Sequence, residues 1–88
     1  MSKLGEHQEA IACYDKVLEI NPRDAIAWHN KGVVLSNLGR HQDAVEAYEN
    51  FIKFAPAHDA AQVAEVKAII QELKTKAEKK GFWKRLLE

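Results

Sequence analysis

The sequence predicts an all-α fold made of stacked helical repeats, and three observations support this prediction. A set of residues near the amino end returns 34 positions later. Apolar residues in both copies fall at the spacing of three and four that marks one face of a helix. Each copy is too short to bury that face alone, which is typical of repeats that use a neighbour as half of their core. The recurring residues are Leu4-Gly5, His7-Gln8, Ala10, Tyr14 and Pro22, which return as Leu38-Gly39, His41-Gln42, Ala44, Tyr48 and Pro56.

The two prolines mark the ends of two equivalent helices. Apolar residues at helical spacing precede Pro22, and a matching set precedes Pro56. Proline has no backbone N–H and disfavours the helical conformation in the residue before it. We therefore expect the two helices to end near Asn21 and Ala55.

A third helix is predicted between these two. Asp24 is a candidate N-cap, because its short carboxylate can accept a hydrogen bond from a free N–H in the first turn. The helix then begins at Ala25 and runs to about Leu38. Gly39 supplies the left-handed backbone conformation that ends many helices. The chain is thus expected to turn back on itself as a helical hairpin.

Residues 25–58 carry a set of large and small residues at fixed offsets, namely Trp28, Lys31, Gly32, Leu35, Ala44, Tyr48 and Pro56. In this pattern the segment resembles the tetratricopeptide repeat, and the resemblance extends from about Leu4 to the middle of the last helix. Leu35 stands where the repeat usually has tyrosine, and Lys31 stands where it usually has leucine. Because Gly32 and Ala44 are small, they should let the two helices of the hairpin approach closely.

The register of the repeat divides the chain unevenly. Residues 25–58 form a full repeat, whereas residues 1–24 align with the end of a repeat and supply only its second helix. In this register residues 1–5 are the last turn of a preceding helix. Two interpretations remain open: the chain is an excerpt of a longer repeat protein, or it is complete and something else covers the bare face of its first helix.

After Pro56 the repeat pattern is lost, since Gln62 and Val66 stand where a third copy would need its tryptophan and glycine. A long capping helix is expected instead over residues 59–80, starting at His58 or Asp59 and stopping at Gly81. One apolar stripe of this helix should pack and the rest should face water. The stripe consists of Val63, Val66, Ile70, Leu73 and Ala77.

Residues 81–88 form a short basic, amphipathic tail outside the resemblance. If the tail is helical, Phe82 and Trp83 share a side with two leucines. The tail could fold back on the capping helix, dock on another chain or touch an anionic membrane surface. The membrane interpretation is disfavoured because so short a helix buries little area and stable attachment needs a second anchor.

The composition and charge of the chain do not favour a membrane protein, a secreted protein or a nucleic-acid-binding protein. The net charge is zero, with 13 basic and 13 acidic residues, and no apolar run is long enough to span a membrane. From Lys74 onward six basic residues stand against two acidic ones, but without a basic groove they do not predict nucleic-acid binding. The amino end lacks the order of a secretion signal, and Cys13 is the only cysteine. A cytoplasmic setting is expected, with Cys13 as a small packed residue.

The resemblance implies a binding surface. In tetratricopeptide stacks the first helix of each hairpin lines a concave face where an extended peptide or a partner helix lies. Asn30 is the most suggestive residue there, because its amide can both donate to and accept from a peptide backbone. The predicted groove residues are Ile26, His29, Asn30, Val33 and Asn37.

No catalytic constellation, phosphate loop or metal-ligand spacing can be argued from these residues, so neither an enzyme nor a metal or cofactor is predicted. The predicted function is a protein-interaction module for an unidentified peptide or protein partner. The alternative is a self-assembly element that forms a homo-oligomer, for example a homodimer, without a separate ligand. Its candidate interface residues are Ala10, Cys13, Tyr14, Val17, Phe82 and Trp83.

Overall fold

The computed structural model describes the backbone of residues 3–87 and the side chains of residues 5–76. This part of the chain contains four α-helices joined by short turns, with a 3-10 turn before the last helix and no strand, which confirms the all-α prediction. Each helix packs on the next one along the chain. The helices are α1 (Lys3–Ile20), α2 (Ala25–Asn37), α3 (His41–Phe54) and α4 (Ala60–Leu87), and the 3-10 turn is Ala57–Asp59.

The ends of α2 form as the sequence predicts. An Asp24 carboxylate oxygen accepts a hydrogen bond from the backbone N–H of Ala27 at 3.1 Å, so Asp24 is the N-cap. At the other end Gly39 has a φ of 78°, which is the left-handed conformation that allows the chain to reverse. The indole N–H of Trp28 donates to the Pro22 carbonyl at 2.8 Å and ties α2 to the turn before it.

The core lies where α2 and α4 pack on either side of α3. Phe51 and Val66 are its largest fully buried side chains. Ala44 is completely buried, and a Cβ added to Gly32 would lie 2.8 Å from Cε1 of Tyr48. The predicted close approach at Gly32 and Ala44 is therefore present, with the Tyr48 ring resting on the bare backbone of Gly32. The core cluster contains Leu35, Ala44, Val45, Ala47, Tyr48, Phe51, Val66, Ile70 and Leu73.

The first helix differs from the prediction at its start. Lys3, Leu4 and Gly5 were expected to end a preceding helix, but they belong to α1. Gly39, the counterpart of Gly5, turns because α3 packs back against α2 immediately afterwards. Glycine accepts both the helical conformation seen at Gly5 and the left-handed conformation seen at Gly39, so the residue type alone does not place a turn at either position.

The last helix confirms the apolar stripe and corrects the predicted stop. Val66, Ile70 and Leu73 are buried and Val63 packs beside them, whereas Ala77 lies outside the described side chains. The helix does not stop at Gly81 but continues to Leu87. A glycine inside a helix costs only about 1 kcal/mol relative to alanine, and the residues around it are compatible with a helix. The glycine alone therefore does not end α4.

We predict that Gly32→Ala destabilises the fold. The added methyl would meet a Tyr48 ring that is only 3% exposed and cannot swing away freely. Overpacking of this kind costs about 1–3 kcal/mol, which exceeds the gain of about 0.5–1 kcal/mol from better helix propensity. Urea denaturation followed by circular dichroism would measure the loss. In a Tyr48→Val background, which lacks the Cδ1, Cε1 and Cζ atoms that the added Cβ would meet at 2.8–3.0 Å, the same substitution should cost clearly less. Equal costs in both backgrounds would contradict the proposed clash.

A second prediction concerns the same tyrosine at high pH. Burial raises the pKa of the Tyr48 phenol above its ordinary value of 10.0. At pH values well below 10 the phenol is protonated in both the folded and the unfolded chain. As the pH rises past 10, the phenol of the unfolded chain loses its proton first, because its pKa is the lower of the two. The free energy of unfolding therefore falls as the pH rises. Between about pH 9 and pH 11 the Tyr48→Phe variant should therefore lose less stability than the parent chain. If urea titrations show that both proteins lose the same amount of stability over this pH range, the pKa of Tyr48 is not changed by folding and the prediction is wrong.

Candidate binding surface

One side of α2 remains uncovered and carries most of the predicted groove residues. Ile26 is 71% exposed and Val33 is 37% exposed, and their separation of seven residues places them on one side of the helix. Asn30 is half-buried between them, and Asn37 is exposed one turn further on. We call this set of four residues, Ile26, Asn30, Val33 and Asn37, the α2 face. It combines two apolar side chains with two amides and contains no carboxylate, ammonium or guanidinium group.

His29 is the predicted groove residue that packs most closely on the protein itself. Its ring is half-buried and meets α3 edge-on. The centroid of the His29 ring lies 5.8 Å from the centroid of the Tyr48 ring, with an angle of 68° between the ring planes. It lies 5.2 Å from the centroid of the Phe51 ring, with an interplanar angle of 65°. Such edge-to-face contacts are favourable for aromatic rings. His29 therefore stands at the border of the α2 face and joins it to the rings of α3.

A second uncovered surface lies on α1. We call Ala10, Cys13, Tyr14 and Val17 the α1 face. Ala10 and Tyr14 are half-buried, Cys13 is exposed and Val17 is 40% exposed. The equivalent residues of α3, which the 34-residue repeat identifies, are no more than 3% exposed, and two of them meet Gly32 and His29 of α2. These residues are Ala44, Ala47, Tyr48 and Phe51.

The environment of Cys13 corrects the prediction that it is a packed residue. Its repeat equivalent Ala47 is 1% exposed, whereas Cys13 is exposed within the described part of the chain. The remaining interface candidates, Phe82 and Trp83, lie on the backbone of α4, and their side chains are outside the described residues.

An ion pair between helices was missed by the sequence reasoning. The Lys31 ammonium group pairs with the Asp15 carboxylate of α1 and lies 5.4 Å from the centre of the Trp28 ring. These three side chains border a cavity of 280 Å³ between α1, α2 and α3. The signal in the sequence was the unusual lysine at a position where the repeat has leucine. Its partner could not be identified because Asp15 reaches it only through the packing of α1.

A second cavity lies between α3 and α4. It is an open groove of 330 Å³ with isoleucines from both helices and charged or amide side chains around them. Its lining residues are Glu49, Ile52, Lys67, Ile70 and Gln71.

Over the described residues there is no group of three or more His, Cys, Asp or Glu side chains that could hold a metal ion. The same residues include no helix that is long and apolar enough to cross a bilayer.

We predict a measurable but small coupling between Lys31 and Asp15. Their side chains are 22% and 50% exposed, so solvent weakens the attraction, and the expected coupling energy is about 0.5–1 kcal/mol. Urea denaturation of the parent chain, Lys31→Met, Asp15→Asn and the combined variant gives this coupling energy through a double-mutant cycle. Raising the ionic strength should shrink the coupling. Strictly additive effects at low salt would mean that the pair contributes nothing to stability.

Comparison with known proteins supports the repeat assignment. Residues 3–71, well over half of the chain, match the family model described as tetratricopeptide repeat. No curated protein sequence matches the chain. Tetratricopeptide repeats generally mediate contacts between proteins and typically bind protein partners. The helical hairpin, the Gly32 crossing and this match together lead to one conclusion: the chain belongs to the tetratricopeptide repeat family.

Proposed function

We propose that this chain is a protein-interaction module that holds an extended peptide or a helix of its partner against the α2 face. The observation that carries the proposal is the exposure of Ile26 and Val33 on the same side of α2 as Asn30 and Asn37. Large apolar side chains at 71% and 37% exposure leave apolar area that a ligand can remove from water.

The two kinds of side chain would contribute differently. Full burial of an isoleucine or valine side chain stabilises a complex by about 1.5–3 kcal/mol before the costs of association are subtracted. The amides of Asn30 and Asn37 can each donate to and accept from the backbone of a ligand, which fixes its register without selecting its side chains. Because the face has no charged group, the ligand segment that it fits is apolar and uncharged. The proposal assigns the module no catalytic step and no cofactor.

The proposal is tested with a displayed library of random peptides, selected on the immobilised chain and then titrated as purified peptides. Asn30→Glu places an unpaired charge in the middle of the α2 face and should weaken binding of the selected peptides by at least about tenfold, because the charge would be desolvated on binding. The matched control is Asn50→Glu. Asn50 lies two residues after Tyr48 on α3 and therefore on nearly the opposite side of that helix from the α2 contact.

Two outcomes support the proposal together: affinity is lost in Asn30→Glu but retained in Asn50→Glu, and backbone amide resonances that shift on titration belong mainly to α2. If both variants bind equally well, or if the shifting resonances belong to the groove between α3 and α4, the α2 face is not the binding surface. Circular dichroism of both variants verifies that the helices are intact.

A further inference from the structure

The cavity of 280 Å³ between α1, α2 and α3 combines an apolar floor with a charged mouth. Leu35 and Ala47 of the floor are 3% and 1% exposed. The half-buried side chains of Ile11 and Trp28 complete the floor. We call this cavity the three-helix pocket. The charged side chains at its mouth are Asp15, Lys31, Arg40, Asp43 and Glu46.

The volume of the three-helix pocket suits one large apolar side chain. A cavity of about 150 Å³ is enough for benzene, and pockets for drug-sized ligands begin at about 300 Å³. The pocket, at 280 Å³, lies between these two sizes. Its floor consists of three aliphatic side chains and the Trp28 indole, so a phenyl ring or a branched aliphatic group would leave water for an apolar surrounding.

The charges at the mouth favour a basic group beside that apolar side chain. The Lys31 ammonium group pairs with Asp15, and only 22% of the lysine side chain is exposed. The Arg40 guanidinium pairs with Asp43 at 2.7 Å. Glu46 is exposed and has no ion-pair partner among the described residues. The side chains of Asp15 and Asp43 remain 50% and 47% exposed. A ligand at the mouth therefore meets three accessible carboxylates and one well-exposed cation.

The charge of the surrounding helices has the same sign. Residues 1–73, which include α1, α2 and α3, contain eleven acidic and seven basic residues. An acidic surface attracts basic partners and speeds their association. The charge complementarity of the mouth thus extends to this part of the chain.

We propose that the three-helix pocket is a second contact site for a protein partner, and that it receives a large apolar side chain with an arginine or lysine next to it in the partner's sequence. The apolar side chain lies on the floor, and the basic group lies at the mouth near Glu46. An arginine suits this position best, because its planar guanidinium can donate two parallel hydrogen bonds to one carboxylate.

The three-helix pocket is separate from the α2 face. Trp28 and Leu35 follow Ile26 and Val33 by two positions each, which is more than half a turn of the helix. The two pairs therefore lie on nearly opposite sides of α2. The pocket stands or fails independently of the proposed peptide binding.

Three blocked dipeptides test the proposal by NMR titration of the parent chain up to about 10 mM. Each contains phenylalanine, followed by arginine, by its uncharged isostere citrulline, or by glutamate. The arginine peptide should bind with a Kd of about 1 mM and the citrulline peptide about two- to fivefold more weakly, because an exposed charge pair adds little. The glutamate peptide should bind most weakly. Intermolecular nuclear Overhauser effects should join the phenyl ring to the methyl groups of Ile11 and Leu35.

Two variants of equal charge test the role of the mouth. Glu46→Gln should bring the affinity ratio of the arginine and citrulline peptides close to one. Glu65→Gln removes the same charge from an exposed residue of α4, a helix that does not line the pocket, and should leave the ratio unchanged. Circular dichroism verifies that both variants keep their helices.

Four outcomes overturn the proposal: no binding at 10 mM, equal affinity of the three dipeptides, the same ratio in both variants, or resonance shifts confined to another surface. Shifts confined to the α2 face would place the dipeptides at the surface of the proposed function instead. Failure of the library peptides to bind the α2 face would leave the pocket result as it stands.

Discussion

The contact between the backbone of Gly32 and the ring of Tyr48 determines the arrangement of the central hairpin. A side chain on residue 32 would occupy the volume of that ring, so glycine is what lets α2 and α3 lie so close. With the ring held there, His29 and Phe51 complete an aromatic cluster and Leu35 is buried beside it. The contact also fixes how α2 is turned about its own axis, and this orientation determines which of its residues remain exposed. Ile26 and Val33 are exposed because Gly32 and Leu35 face inward.

The two uncovered surfaces follow from the same packing rule, in which each helix covers the apolar side of its neighbour. α3 has a neighbour on both sides, α2 and α4, and its apolar residues between Ala44 and Phe51 are buried. α1 packs mainly on α2 among the described helices, and its side that corresponds to the buried side of α3 stays open. The difference between Ala47 and Cys13, at equivalent positions of the repeat, comes from the number of neighbours and not from the helices themselves.

Lys31 shows how the chain accommodates a departure from its repeat pattern. An apolar side chain at this position would normally fill the space between helices. The lysine instead lies against the Trp28 ring and directs its ammonium group to Asp15, so its charge is paired at a site where only 22% of the side chain is exposed. Its alkyl chain fills part of the space that leucine would occupy. The consequence is a polar link between α1 and α2 in place of an apolar one.

The sequence by itself determined where the helices lie and most of their ends. Asp24, Gly39 and the two prolines act on the backbone within a few residues of themselves, so their effects could be read without knowing the fold. Tertiary structure decided what these local signals leave open. Gly5 remains helical although its counterpart Gly39 turns, Cys13 is exposed although Ala47 is buried, and Lys31 finds Asp15 sixteen residues away. In each case the outcome depends on which helix lies alongside, and that is a property of packing between elements that no single stretch of sequence contains.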